Sequence, residues 1–273
     1  MEVRKLVKAG KHSHSVSLPK GWLTQHSLKT GDSVYIIQGE KEVTVTPFPT
    51  APTNEVRERT IEVGDRSIET VRRELTSAYI NNYTDIRFSK VKNHDDVLGV
   101  LQDFVALEIV DQQDTTIAVK DLLNLSEINV DQSLRRMDMI IRTLFKEAEP
   151  REKDLNKLYF LLYRLVKGAM RDQKMADALN IKQDNILLTW YLMVNLEDIG
   201  DILENMPKKA GLKDIENNYL DAMKAYFTNN KELAEQVISS WQSQKPKKGE
   251  GAEQVRQLST HINNIARIVL DLE

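Results

Sequence analysis

Apolar residues recur along this chain in three successive textures, and each predicts a different kind of element. Up to residue 46 they fall in short alternating pieces: 3–7, 14–18 with Val16 and Leu18 on one side, 34–37, and 43–45 alternating with Thr. A period of two over so few positions predicts short β-strands. Pro19 opens a short helical turn carrying Trp22 and Leu23. Gly31-Asp32 and Gly39-Glu40 mark turns, the second of them a tight hairpin. From residue 57 strand and helix alternate: strands at 59–63, 85–88 and 115–119, and helices at 66–83 and 95–111. The first of these helices places Ile68, Val71, Leu75, Ala78 and Tyr79 on one side. From Val130 onward the steps are those of a helix only. Val130, Leu134, Met137, Ile141, Leu144 and Ala148 advance by fours and threes, as do Leu155, Leu158, Leu162, Leu165 and Ala169, and again Val255, Leu258, Ile262, Ile265, Val269 and Leu272. With further helices at 184–206, 215–227 and 232–242, such seams predict an antiparallel bundle.

Punctuation divides the chain at the same places. Pro47, Pro49 and Pro52 sit among Thr and Asn, a composition that neither helix nor sheet interior accepts. The expected organisation is an N-terminal β unit at 1–47, a linker at 48–56, a small α/β layer at 57–121 and a helical bundle at 126–273. The fold class is therefore α+β and multidomain. About fifty residues of strand bury too little apolar surface to fold alone without a metal or a disulfide, so the first unit is expected to dimerise.

Composition adds exclusions. The 273 residues are 41% apolar and 29% charged, a globular balance that excludes disorder. No run approaches the ~20 apolar residues of a membrane span. Met1 leads into Arg4 and Lys5 with no apolar block behind them, which predicts an intact cytoplasmic chain. The absence of cysteine excludes disulfides, thiolate metal sites and a cysteine nucleophile, leaving Asp, Glu, Asn and five His for any metal. The net charge of -3 hides an uneven split. Residues 1–50 carry seven basic side chains (Arg4, Lys5, Lys8, Lys11, Lys20, Lys29 and Lys41) against the acids Glu2, Asp32, Glu40 and Glu42, and the rest of the chain is net acidic. Positive charge concentrated at one end points to a polyanionic partner more than the total does.

Within that basic segment stand Gly10, Ser13, Ser15, Val16, Leu18, Pro19, Lys20 and Trp22. Over about residues 3–47 this constellation resembles the AbrB-like, or swapped-hairpin, transcription factors. The resemblance implies that two chains interleave their hairpins into one β-barrel and that the Leu-Pro-Lys opens a short helix. It implies a homodimer that brings two basic arms onto one face to bind double-stranded DNA. Arg4, Lys5, Lys8, Lys11 and Lys20 are the candidate phosphate contacts, and His12, Ser13 and Ser15 the candidates for backbone or base edges. The plainer alternative is a dimerisation module whose Lys and Arg are solvated edge-strand charges that discourage aggregation.

On the third long helix of the bundle stand Leu196, Glu197, Asp198, Ile199, Gly200 and Asp201. Glu197 and Asp201, four apart, share one face, where like charges cost ~0.2–0.5 kcal/mol unless a cation offsets them. The run is similar to the signature of PhoU-type phosphate regulators, an all-helical family of two three-helix repeats. The similarity implies a PhoU-like bundle of two degenerate repeats, with a possible divalent metal (Mg, Mn or Fe) at the acid pair. The departures are specific: Asn156 stands where the family carries an acid, Arg256 and Thr260 occupy the acidic positions of the second copy, and His261 remains without its partner acid there. One acid pair without a facing pair makes a weak cage, and structural, solvated acids are the alternative reading.

Other motifs carry less. His12, Ser13 and His14 lack an acidic orienter nearby, so no serine hydrolase is predicted. Gly64-Asp65-Arg66-Ser67 reads as a helix cap rather than an anion cradle. Tyr159, Phe160, Tyr163, Trp190 and Tyr191 lie at spacings that predict packing. No active site assembles, and the chain is not expected to be an enzyme. Together the two resemblances cover nearly the whole chain and match archaeal phosphate uptake regulators. They imply a DNA-binding transcriptional regulator of phosphate homeostasis. The alternative is an adaptor that docks on a phosphate transporter or sensor kinase without touching DNA.

Overall fold

The computed structural model describes residues 3–11, 13–38, 43–47, 57–124, 128–146, 152–206, 212–243 and 251–272. The chain forms two compact units, Met1–Glu55 and Val56–Glu273. It is α+β, with small sheets and a helical C-terminal part.

The first unit holds two short antiparallel hairpins and one helix. Strand β1 (Val7–Lys8) pairs with β2 (His14–Ser15), opposing Val7 to Ser15 and Lys8 to His14. Helix α1 (Lys20–Gln25) follows Pro19, whose fixed φ suits the entry to a helix. A turn at Gly31, with φ +100°, leads to β3 (Tyr35–Gln38), which pairs with β4 (Val43–Thr46). Positive φ is where glycine has no steric cost. The Asp32 carboxylate locks this turn by accepting from the Lys29 amide at 2.6 Å. The Gly39-Glu40 hairpin turn and the 48–56 linker lie outside the described residues. Among the described side chains of this unit none is buried. Val3, Leu6, Val7, Ile36 and Val43 are each more than half exposed.

The second unit opens with a four-stranded sheet of order β5-β6-β8-β7. Strand β5 (Glu58–Glu62) runs parallel to β6 (Asp85–Ser89) because helix α2 (Ile68–Ile80) crosses between them. Ser67 caps α2 by accepting from the Thr70 amide, as its place after Gly64-Asp65 predicts. Val71, Leu75, Ala78 and Tyr79 are buried.

The expected helix over 95–111 is half wrong. Helix α3 (His94–Leu101) stops early, and Leu107–Gln113 is strand β7, antiparallel to β8 (Thr116–Asp121). Val97, Val100, Leu101, Phe104 and Leu107 keep helical spacing across the break, so periodicity alone carries the helix too far. The helix ends at Leu101, and Ala106, with φ +63°, takes a conformation that bars its continuation into 107–113.

The bundle has seven helices among the described residues: α4 (Val130–Phe145), α5 (Glu152–Ala169), α6 (Gln173–Ala178), α7 (Ile186–Glu204), α8 (Lys213–Thr228), α9 (Lys231–Ser243) and α10 (Ala252–Asp271). Helix α6 is too short to leave a periodic trace in the sequence. Helices α4, α5 and α7 pack on one another, as do α8, α9 and α10, and the two trios meet chiefly where α7 lies against α10. Gly200 lets α5 approach α7 closely: a Cβ there would stand 2.1 Å from Leu155 Cδ2. A polar triad, with Asp138 and Tyr219 buried and Arg142 partly exposed, ties the trios together. The Tyr219 hydroxyl donates to Asp138 at 2.9 Å, and Arg142 donates to both oxygens of the same carboxylate. Burial, reinforced by Asp138, pushes the Tyr219 phenol well above its usual range.

The sheet layer and the bundle are one body. Phe160 of α5 packs into the core of the layer, stacked on Phe104 at 5.5 Å. Beside it Arg164 crosses from α5 to Asp121 and Asn82 of the layer. No helix among the described residues is long and apolar enough to cross a membrane.

Candidate functional site

The basic residues of the first unit stand where a polyanion can reach them. Short strands and an open loop leave Arg4, Lys5, Lys8, Lys11, Ser13, Ser15 and Lys20 all exposed. Arg4 donates to Ser17 Oγ at 2.9 Å, which anchors the leading segment to the one after β2. Ser15 donates to the Val7 carbonyl at 3.4 Å, so its hydroxyl proton is turned inward across the hairpin. Lys8 lies in β1 and Lys20 at the first position of α1. His12 falls outside the described residues. An open hollow of about 610 Å³ in the same unit is lined by Leu18, Leu23, Leu28 and Val34 together with the 29–32 turn. It is a half-built core: aliphatic side chains face one space, and the described chain does not fill it.

The acid pair lies on α7, one turn apart. Asp201 is exposed and Glu197 is half-buried. Burial pushes the Glu197 carboxyl up to about 7, helped by the charges of Asp201 and Asp198. Tyr159 of α5 shares this neighbourhood, its phenol pushed up to about 12 by burial and then by Glu197. Asp198, one residue on, turns to the other trio, where its carboxylate lies 3.5 Å from His261 Nδ1 on α10. His261 also meets Asn195 Oδ1 at 3.0 Å, and Asn264 donates to the same oxygen at 3.1 Å. A part-buried polar layer centred on the buried Asn195 therefore joins α7 to α10. His261, which lacks the expected partner acid in its own copy of the signature, finds one across the interface. Arg256, in the degenerate copy, pairs with Glu253 at 2.7 Å.

Glu197 and Asp201 do not fit a metal centre on this geometry. Among the described residues no group of three His, Asp or Glu converges to hold a metal ion. A lone pair of carboxylates on one helix, without facing ligands, leaves a divalent cation mostly hydrated.

The state of Glu197 has a measurable consequence. Its folded pKa lies above the ordinary carboxylate value, so the folded chain binds that proton more tightly than the unfolded one. The associated stability is complete below the unfolded value and is lost as pH rises through about 7. Glu197→Gln, which keeps the shape of the carboxyl group without its charge, is expected to stabilise the chain by on the order of 1–2 kcal/mol at alkaline pH and by nearly nothing in acid. Urea unfolding on either side of neutrality checks this; an equal shift at both pH values contradicts it.

Two expectations need correction at the level of packing. Trp190 and Tyr191 are 37% and 39% exposed, and Leu187 beside them is 61% exposed, so this face of α7 is open among the described residues. Helical spacing identifies a seam but does not say which of two seams on a largely apolar helix is covered. Tyr159, Phe160 and Tyr163 do pack, in a chain of ring contacts along α5. The buried Arg164, with its partners Asp121 and Asn82, left no motif by which sequence reasoning could find it.

No family model, no curated protein and no solved structure matches the chain.

Proposed function

We propose that this protein is a homodimeric, DNA-binding transcriptional regulator tied to phosphate uptake. Two N-terminal units pair as a swapped-hairpin barrel, and the helical half, a PhoU-like bundle, receives the signal or docks the partner. The observation that carries this reading is the state of the first unit. It has regular hairpins but no buried side chain among those described, while Val3, Leu6, Val7, Ile36 and Val43 are exposed together with its cations. Each exposed aliphatic side chain that a second copy covered would contribute ~1.5–3 kcal/mol if buried fully. Pairing by the two-fold symmetry that most homodimers use doubles the cationic arms on one assembly. Five cations per chain become ten per dimer: Arg4, Lys5, Lys8, Lys11 and Lys20 from each copy. The two helical trios joined through α7 and α10 support the PhoU-like part of the reading. A signal read there must bind the two arrangements of the dimer unequally to change DNA affinity.

Fluorescence anisotropy of the full chain on a labelled duplex, repeated across salt concentrations, tests the proposal. Ten phosphate contacts would make log K fall against log salt with a slope of about -9. Lys8→Ala with Lys20→Ala removes four contacts per dimer and should make the slope shallower by about 3.6. A flat response at micromolar or weaker affinity would instead favour an adaptor that docks on a transporter or sensor kinase.

A further inference from the structure

A cleft of about 180 Å³ opens in the second unit, where the start of β5 and the end of α2 face Arg171, two residues beyond the end of α5. Its lining includes Arg57 and Arg59 from the layer and Arg171 from the bundle, with Ser77, Asn81 and Tyr83 between them. Glu74 is the one carboxylate among the lining residues, and it serves two cations already: Arg59 at 2.9 Å and Arg66 at 2.7 Å. Arg57 has no carboxylate partner among the described residues. It is held in place instead, donating from Nη1 to the Asn81 carbonyl at 2.7 Å and lying over the Tyr83 ring at 5.1 Å. The Arg171 side chain has neither an ion pair nor a hydrogen bond among the described residues.

Three guanidiniums that share one concave space with a single, already committed carboxylate repel one another unless an anion joins them. Guanidinium forks match the oxygens of phosphate and carboxylate groups, and the hydroxyl of Ser77 adds a neutral donor, while the Asn81 amide donates to the Ser77 carbonyl at 2.7 Å. We propose that this cleft is a binding site for a small, doubly charged oxyanion. Arg57, pre-ordered by Asn81 and Tyr83, and Arg171, otherwise unengaged, grip it from the two sides. The ligand would bridge the sheet layer and the bundle at a second point besides Arg164. The site is independent of DNA binding by the first unit, and it stands or falls without it.

Isothermal titration of the full chain with inorganic phosphate, with glycerol phosphate and with malonate, at matched ionic strength, is the test. The expected result is saturable binding of at least one of the three at one site per chain. Arg171→Gln should weaken it about tenfold or more, the loss of one charge-assisted contact. Arg267→Gln, an exposed arginine on α10, should leave it unchanged and shows whether general charge is responsible. Tightest binding of phosphate identifies the free ion as the fitting form, of glycerol phosphate a phosphate ester, and of malonate a dicarboxylate. Absence of saturation by all three, or equal weakening by Arg171→Gln and Arg267→Gln, overturns the proposal. Because Arg171 is exposed, its variant is expected to fold, and far-ultraviolet circular dichroism confirms that before titration.

Discussion

Arg164→Leu is expected to destabilise the second unit by ~3–5 kcal/mol, the cost of leaving a buried charge without its partner. The arginine and Asp121 are ion-paired with side chains only 5% and 6% exposed. Nε donates to Asn82 Oδ1 at 2.7 Å, and the guanidinium lies 4.8 Å from the centre of the Tyr79 ring. Removing it strands the Asp121 carboxylate, whose remaining partner is the Leu123 amide at 3.0 Å. It also removes the polar crosslink between α5 and the sheet layer. Replacing both charges, Arg164→Leu with Asp121→Leu, should recover a large part of the loss, since apolar pairs of similar volume often substitute for buried ion pairs. Denaturant unfolding of the single and double variants checks this. A loss below about 1 kcal/mol in the single variant would mean that the pair is solvated and that another contact holds layer to bundle.

On the proposed pairing of two N-terminal units, Ile36→Glu should separate the copies and, with them, the two sets of cationic arms. Ile36 lies in β3 opposite Val45 and is 69% exposed in the single chain. If a second hairpin covers it, a buried glutamate there has no cation to meet, and the pairing fails by several kcal/mol. A monomer has five candidate phosphate contacts rather than ten, so the salt slope should fall by half, from about -9 to about -4.5. At low salt the affinity for a duplex should drop by ~10²-fold or more, because each steep slope is the sum of many small contacts. Sedimentation and anisotropy on the same sample read both quantities. A variant that remains dimeric and keeps the native slope would remove Ile36 from the interface and the hairpins from the dimer. This outcome is separable from the Lys8 and Lys20 variants, which leave the dimer intact.

The two halves of the chain differ in how far local pattern reaches. The long helices α4, α5, α7, α8, α9 and α10 follow from steps of three and four, and their ends agree with the sequence signals to within a few residues. Strands β5, β6 and β8 and helix α2 also follow from their own alternation and caps. Where two periodicities overlap, local pattern fails. Leu107 and Ile109 belong equally to the tail of an apolar helix and to an alternating strand, and β8, waiting for an antiparallel neighbour, decides between them.

The sequence by itself determined the order of the elements apart from β7 and α6, the separation of the basic first unit from the acidic remainder, and the two runs of candidate residues at 4–20 and 197–201. Local periodicity, proline punctuation and charge are properties of neighbours in the chain, so they are written there in full. Only the tertiary structure decided which cations end in clefts, which acid His261 meets, and that Arg164 is buried against Asp121. Those outcomes join residues tens of positions apart, through packing of faces whose register no local pattern encodes. In the first unit the apolar residues alternate as strands require, yet none of the described side chains is buried, and local pattern does not say what covers them.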